Sequence, residues 1–168
     1  KTLINATIAA EDSRFYSHNG IDYLGTMRSV RDALFYREFV SGASTISQQT
    51  AKNVFLWNGG GWARKGAEAY FTMLAEWMWS KPRIMEIYLN VAEWGDGIFG
   101  AEQAAQERFG VSAKDLTPKQ AAALAAVLPN PNRIRVDGNY ATGRRNTQVQ
   151  SLMGMVKRDK LDECVIGP

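Results

Sequence analysis

The chain has 168 residues, 45% of them hydrophobic, which fits one globular domain and excludes a disordered chain. Its 20 basic and 17 acidic residues leave a formal net charge of +3, which suits an anionic substrate or a membrane surface and falls short of the dense basic stripe of a nucleic-acid-binding protein. The single cysteine excludes an internal disulfide and a cysteine-based metal cluster, and the sequence contains no apolar run long enough to predict a membrane-spanning helix.

Helix signals follow one another along most of the chain. Apolar spacing predicts a first helix over residues 2–12, and Thr45-Ile46-Ser47-Gln48 has the capping-box pattern that begins a second helix running to about residue 56. Further helices are predicted over residues 62–80, from near Pro82 through Val91, over 100–109, from Thr117 to the residue before Pro129, and over 139–158. No sustained alternation indicates a strand, so the predicted fold class is all-α, that is, predominantly helical.

Two adjacent carboxylates, Glu11 and Asp12, end the first predicted helix directly after an apolar run. Burial beside apolar surface disfavours the charged form of a carboxylate and can raise its pKa toward the range that is useful in proton transfer. The pair is therefore a candidate acid–base site. Taken alone, it fits the solvated end of a helix better.

The helix that follows residue 44 carries polar side chains along one side. Positions four apart stack on a helix, and free N–H groups at a helix N-terminus attract anions. The side chains concerned are Ser44, Thr45, Gln48, Gln49, Lys52 and Asn53. They form either an anion-binding surface or the capped, solvated face of an ordinary helix.

Arg64, Lys65 and Glu68 form a second charged group. Arg64 lies four residues and Lys65 three residues before Glu68, so both cations can reach its carboxylate on a helix. On an exposed helix each such pair contributes only about 0.3–0.5 kcal/mol, and the spacing alone favours this interpretation. In a cleft, the same group would supply two donors to phosphate oxygens.

His18 is the only histidine of the chain. A lone histidine orients a neighbour more often than it serves as a general base, and without a second histidine or a cysteine partner it does not indicate a zinc site. We therefore expect a structural role for His18.

Aromatic and methionine side chains are concentrated in two segments. Those of the predicted helix over 62–80 are expected in the core: Trp62, Tyr70, Phe71, Met73, Trp77, Met78 and Trp79. Those of residues 35–40 are interleaved with charged residues. This mixture fits either an interfacial patch among lipid headgroups or an amphipathic helix that packs on the core.

Five motifs follow one another over about residues 9–110. They are Glu11-Asp12-Ser13-Arg14-Phe15-Tyr16-Ser17-His18 with Gly20-Ile21-Asp22, then Gly42-Ala43-Ser44-Thr45-Ile46-Ser47-Gln48-Gln49 with Lys52-Asn53, then Arg64-Lys65-Gly66-Ala67-Glu68, then Ser80-Lys81-Pro82-Arg83-Ile84-Met85-Glu86-Ile87-Tyr88-Leu89-Asn90, and last Gly97-Ile98-Phe99-Gly100-Ala101-Glu102-Gln103-Ala104-Ala105. In order and spacing the chain resembles the peptidoglycan glycosyltransferases of glycosyltransferase family 51. Residues 91–97 are similar to the monofunctional, membrane-anchored branch of that family.

The resemblance implies a single catalytic domain over residues 1–168 with a lysozyme-like, two-lobed fold. Residues 23–60 would contribute the smaller jaw lobe, which faces the membrane, and an N-terminal membrane anchor would precede the chain. The implied reaction is polymerisation of lipid II into β-1,4-linked glycan strands by inverting transfer, with release of undecaprenyl pyrophosphate. Its implied location is the extracytoplasmic face of the bacterial inner membrane.

The resemblance also implies roles for individual residues. Glu11 matches the general base, and Glu68 matches a second carboxylate that assists departure of the pyrophosphate. The implied substrate-contacting positions are Asp12, Phe15, His18, Arg28, Ser44, Thr45, Gln48, Gln49, Lys52, Asn53, Arg64 and Lys65. Among these, Lys52, Arg64 and Lys65 would hold the charge of the leaving pyrophosphate.

The implied partners are lipid II, the growing lipid-linked glycan, the membrane surface, an inhibitor of the moenomycin type and other cell-wall synthesis proteins. No nucleic acid and no organic cofactor are expected. A divalent cation, Mg²⁺ or Mn²⁺, on the pyrophosphate is compatible with this chemistry, because Mg²⁺ binds few carboxylates together with phosphate oxygens.

Two other functions stay open at this point. A lysozyme-like hydrolase or lytic transglycosylase would also use a carboxylate at a glycosidic bond, but its sugar leaving group takes a proton and gives no reason for cations beside Glu68. A non-catalytic module that binds glycan or lipid gives no reason for carboxylates, as opposed to amides, at residues 11 and 68.

Overall fold

The structure is a computed structural model that describes residues 1–25, 27, 44–57 and 59–162. The described part is predominantly helical, as predicted. Its helices are α1 (Thr2–Glu11), α2 (Ile46–Phe55), α3 (Gly61–Met78), α4 (Lys81–Val91), α5 (Ala101–Phe109), α6 (Pro118–Val127), α7 (Asn139–Thr142) and α8 (Arg144–Arg158), with a 3₁₀ helix at Ala113–Asp115. Arg28 and the aromatic segment 35–40 lie outside the described residues, and the assignment of 23–60 to a smaller lobe stays a prediction.

Local sequence signals explain where the main helices begin. At α2 the hydroxyl of Thr45 accepts a hydrogen bond from the backbone N–H of Gln48 at 3.1 Å, and the Gln48 side chain accepts one from the Thr45 N–H at 2.9 Å. Thr117 begins α6 with the same arrangement. Gly60 precedes α3 with φ 87°, a conformation that glycine adopts without steric cost. These starts confirm the predicted order of helices along the chain.

The described helices pack in two groups that share one core. α1, α6 and α8 pack together, and α2 packs on α3 and α4. Every residue of α6 from Ala121 to Val127 is buried, and the small alanine side chains let neighbouring helices approach closely. Tyr88 of α4 is also fully buried. The two groups meet where the C-terminal end of α1 faces the first turns of α2, and this junction carries the polar residues described below.

The backbone differs from the predicted one in two places. Glu93–Gly95 (β1) and Ile98–Phe99 (β2) form an antiparallel hairpin that the sequence analysis missed, because strands of three and two residues are too short to show alternation. The predicted helix over 139–158 is two helices, α7 and α8. They are separated at Gly143, whose φ of −97° and ψ of −128° are not helical.

The prediction that the aromatic and methionine residues of α3 lie in the core is wrong for most of them. The side chains of Trp62 and Trp77 are 92% and 83% exposed, and Tyr70, Met73 and Met78 are exposed too. The buried positions of α3 are instead Glu68, Thr72 and Ala75. Helical periodicity distinguishes two faces but does not say which is buried. Within the described residues, no helix combines the length and the apolar composition that crossing a membrane requires.

Candidate active site

Glu11 is a buried carboxylate at the last position of α1. Its side chain is 8% exposed, and one oxygen, Oε2, accepts a hydrogen bond from Nε2 of Gln49 at 2.8 Å. The other oxygen, Oε1, is buried without a hydrogen-bond partner among the described residues. Burial raises the pKa of Glu11, although the Gln49 bond and the charges of Arg145 and Lys52 oppose the rise. A carboxyl with a raised pKa binds a proton more tightly, a property that suits a proton acceptor in catalysis.

Gln49 is itself held in one orientation. The hydroxyl of Tyr88 donates to Oε1 of Gln49 at 3.1 Å, which leaves the amide nitrogen to face Glu11. Tyr88 is fully buried, and its pKa is raised well above the ordinary value by burial and by the charges of Glu11 and Asp12. The phenol therefore stays a donor at all working pH values. Nothing in the local sequence around Tyr88 points to its contact with a residue 39 positions earlier.

Asp12 has different contacts from its neighbour Glu11. Both of its carboxylate oxygens lie 3.0 Å from Nε2 of His18, and Oδ2 also accepts the backbone N–H of Ile46 at 3.1 Å. Ile46 is the first residue of α2, where free N–H groups favour a negative charge. Asp12 thus ties the end of α1 to the start of α2, and His18 orients the Asp12 carboxylate, which agrees with the structural role expected for His18.

Glu68 is the most buried member of the second charged group. Its carboxylate is 3% exposed and pairs with Nη1 of Arg64 at 3.2 Å and with Nζ of Lys65. Arg64 and Lys65 are themselves only partly buried. The buried carboxylate therefore holds two cations whose remaining N–H donors can reach a ligand. With its carboxylate buried, this group differs from the exposed helix pair that spacing alone favours.

Ser44 connects the two carboxylate groups. Nζ of Lys65 lies 3.4 Å from the Ser44 hydroxyl, and Nε2 of Gln49 lies 3.3 Å from the Ser44 carbonyl oxygen. A continuous set of polar contacts thus runs from Glu68 through Lys65, Ser44 and Gln49 to Glu11. The structure brings together the two carboxylates that the sequence separates by more than fifty residues.

A cavity of about 600 Å³ opens beside Gln49. Its lining includes Lys52 and Asn53 of α2, Tyr88 of α4, Phe99 of β2 and Asn132 of the loop after α6. Lys52 is exposed and forms no ion pair with any described residue. Its ammonium is therefore free to bind an anionic ligand in this cavity.

Three other residues expected to contact substrate lie below the surface. Phe15 is fully buried in the core, and Thr45 and Gln48 are buried as the two members of the α2 capping box. Thr45 and Gln48 fix the start of α2, and the Phe15 ring contacts the ring of His18. Arg28 lies outside the described residues, so its predicted role stays a prediction.

The protein ligands available to a divalent cation are few. The described residues contain no group of three or more histidine, cysteine, aspartate or glutamate side chains that could hold a metal ion. The oxygens of Glu68 face two cations and those of Asp12 face His18, which leaves Oε1 of Glu11 as the carboxylate oxygen of these three residues without a partner. The donor set does not form a metal site by itself.

Comparisons with known proteins agree with this arrangement. The sequence model of the family described as transglycosylase matches residues 1–154. A biosynthetic peptidoglycan transglycosylase of Rhodospirillum centenum is 50% identical over 167 residues, which are 99% of this chain and 72% of that protein. Proteins of the same name from Caulobacter vibrioides and Pseudomonas entomophila are each 49% identical, over 97% and 91% of this chain and 71% and 62% of their own lengths.

Proposed function

The chain belongs to the transglycosylase family, and on this premise we propose that Glu11 is the general base of a peptidoglycan transglycosylase. The enzyme polymerises the glycan strands of peptidoglycan outside the cytoplasm, and it binds a peptidoglycan precursor and the growing glycan chain. The proposal goes further in naming lipid II as the precursor and in assigning residues to the steps of the transfer.

The environment of the Glu11 carboxylate carries the proposal. Transfer with inversion requires that a sugar hydroxyl of the acceptor attack the anomeric carbon of the donor and lose its proton as the new bond forms. Glu11 is buried, has a raised pKa, and presents one oxygen without a hydrogen-bond partner. Gln49 holds the other oxygen. These features support Glu11 as the group that accepts the hydroxyl proton.

The second group supports departure of a pyrophosphate. When the bond between the anomeric carbon and the phosphate oxygen breaks, the electron pair stays on the pyrophosphate, which needs its charge held and not a proton. Arg64 and Lys65 are fixed by Glu68, and Lys52, which lines the cavity, forms no ion pair with the described part of the chain. In this proposal Glu68 acts through its two cations. A hydrolase with a sugar leaving group would not need such a set.

The exposed face of α3 supports contact with the inner membrane. Large apolar side chains that face water over more than one helical turn mark an interaction surface, and tryptophan favours the interface between lipid and water. The side chains on this face are Trp62, Tyr70, Met73, Trp77 and Met78. A lipid-linked substrate brings its polyprenyl chain from the membrane, so a membrane-facing surface on the helix that carries Arg64 and Lys65 would serve the reaction.

The cation, the inhibitor and the protein partners implied by the family resemblance are proposals as well. A divalent cation would take most of its ligands from the substrate phosphates, and no step of the transfer is derived through it. An inhibitor of the moenomycin type, which is a phosphoglycolipid, would bind the same cations. Binding of other cell-wall synthesis proteins is proposed from the family resemblance alone.

The direct test is incubation of the protein with lipid II in detergent. The proposal predicts polymeric glycan and free undecaprenyl pyrophosphate, with one pyrophosphate released for each glycosidic bond formed. Preformed peptidoglycan should stay undigested in the same buffer. Digestion of preformed peptidoglycan without polymer synthesis would contradict the proposal in favour of a hydrolase.

A further inference from the structure

Arg145 connects α8 to the end of α1. Its Nη2 donates to the carbonyl oxygen of Ala10 at 3.0 Å, and its Nη1 donates to Oε1 of Gln148 at 3.0 Å. Its Nε is buried without a hydrogen-bond partner among the described residues. The guanidinium is therefore half-buried and directed at the backbone of the residue that precedes Glu11.

The charge of Arg145 is not neutralised by a nearby carboxylate. No described acidic residue lies within ion-pair distance of it, and its two side-chain contacts are a carbonyl and an amide. Its charge acts on Glu11, which follows Ala10 in the last turn of α1. A partly buried guanidinium without a carboxylate partner favours a negative charge in its surroundings.

Arg145 adds to the charges that already face Glu11 from other elements. Asp12 follows Glu11 in the chain, Lys52 faces it from α2, and Tyr88 lies behind Gln49 on α4. Of the two cations, Arg145 opposes the rise of the Glu11 pKa more than Lys52 does. The stronger positive influence on the base therefore comes from α8, which lies outside all five sequence motifs.

We propose that Arg145 is a positioning residue for Glu11: its bond to the Ala10 carbonyl fixes the last turn of α1, and its charge favours the ionised carboxylate. The cavity-facing cations bind substrate and change their surroundings when it arrives. Arg145 lies on α8 and keeps its charge, so it favours the ionised carboxylate whether or not substrate is bound. This role rests on the proposed function only in that Glu11 is the base; the electrostatic link itself does not.

The link is tested first without activity, by thermal unfolding of wild type, Glu11→Gln, Arg145→Gln and the double variant at about pH 8 and about pH 4. Without the guanidinium, an ionised Glu11 is less favourable, so Glu11→Gln should raise Tm more in the Arg145→Gln background at the higher pH. This difference should disappear at the lower pH, where Glu11 is protonated. A difference that is zero, or equal at both pH values, would overturn the proposal and leave only a bond to Ala10.

Activity gives a second readout. Each unit by which the Glu11 pKa rises lowers the ionised fraction about tenfold on the acidic side. Arg145→Gln should therefore move the acidic limb of the kcat/KM profile to higher pH, with the loss shrinking as pH rises. Arg145→Lys keeps the charge and should restore the limb, and Arg144→Gln, one residue away and exposed, should leave it unchanged. A pH-independent loss in Arg145→Gln that Arg145→Lys fails to rescue would contradict the inference.

The two proposals fail separately. If Glu11→Gln kept its polymerising activity, Glu11 would not be the base, and the unfolding experiment would still decide whether Arg145 stabilises its charge. If Glu11→Gln were inactive and the unfolding difference absent, the base would stand and the inference about Arg145 would fall.

Discussion

The side-chain amide of Gln49 donates a 2.8 Å hydrogen bond to Oε2 of Glu11, across 38 positions of sequence and between the two packing groups of helices. This bond fixes the carboxylate while its other oxygen stays without a partner. The observed bond weakens the rise in the Glu11 pKa that burial causes, but does not cancel it. Glu11 therefore combines a fixed position with a raised proton affinity, which is the combination that general-base catalysis requires.

The raised pKa predicts that Glu11 destabilises the fold at neutral pH. A carboxyl whose pKa is higher in the folded state binds its proton more tightly there, so its favourable contribution is complete below the unfolded pKa and is lost as pH rises through the folded one. Glu11→Gln should therefore raise Tm near neutral pH. It should leave Tm unchanged near pH 3, which is about one unit below the pKa of an ordinary glutamate. Calorimetry over this range checks the prediction, with exposed Glu107→Gln as the control. A lower Tm for Glu11→Gln at neutral pH would contradict it.

Tyr88→Phe removes the hydroxyl that orients the Gln49 amide. A net hydrogen bond contributes about 0.5–1.5 kcal/mol, so we expect a fall in kcat/KM of roughly threefold to tenfold and a small change in Tm. The acidic limb of the pH profile should also move upward, because a freely rotating amide supports the ionised carboxylate less well. Steady-state kinetics measures both effects. The matched control is Tyr140→Phe, at an exposed tyrosine, and equal behaviour of the two variants would show that Tyr88 does not orient the site.

Lys52→Ala should weaken substrate binding more than it slows the chemical step. A charge-assisted hydrogen bond contributes about 1.5–3 kcal/mol, so KM for lipid II should rise about tenfold or more. The wild-type KM should rise with ionic strength, and the variant should show less of this dependence. Lys157→Ala, in the exposed last turn of α8, gives the protein the same net charge as Lys52→Ala and serves as the control. An unchanged KM in Lys52→Ala would remove the phosphate role.

The exposed apolar face of α3 predicts binding to lipid vesicles. The double variant Trp62→Ser with Trp77→Ser should bind vesicles of anionic phospholipid less well than wild type, because tryptophan side chains at an interface supply much of the apolar contact. Co-sedimentation measures binding, and a blue shift of tryptophan fluorescence in the wild type reports burial of the rings. Tyr140→Ser changes an exposed aromatic residue elsewhere and should bind like wild type. Equal binding of all three proteins would exclude this face as the membrane contact.

Much of the fold follows from local signals in the sequence. Capping boxes at Thr45 and Thr117 and the glycine run before α3 fix helix starts within a few residues, because these groups satisfy free N–H groups or adopt conformations that other residues avoid. The hairpin of Glu93–Gly95 and Ile98–Phe99 could not be predicted, because strands this short show no alternation of apolar and polar residues. Apolar spacing also failed for α3, where the buried face is formed by Glu68, Thr72 and Ala75.

The residues of the candidate site also fall into those that the sequence predicts and those that it does not. Glu11, Glu68 and their motif neighbours are recognisable because the motifs keep their order and spacing. Tyr88 and Arg145 act through contacts with residues 39 and 135 positions away, and a single sequence contains no signal for pairs that only the tertiary fold brings together. The burial that raises the pKa of Glu11 is likewise a property of the packed helices and not of the peptide.

The central claim is that Glu11 accepts the proton of the attacking hydroxyl. Its most direct measurement compares wild type, Glu11→Gln and Glu107→Gln in the polymerisation of lipid II, with folding of each checked by Tm. Loss of a general base lowers the rate about 10²–10⁴-fold. The account predicts a loss of this size in Glu11→Gln, with lipid II binding retained, and wild-type rates in Glu107→Gln. A folded Glu11→Gln variant that polymerises lipid II within about tenfold of the wild-type rate would contradict it.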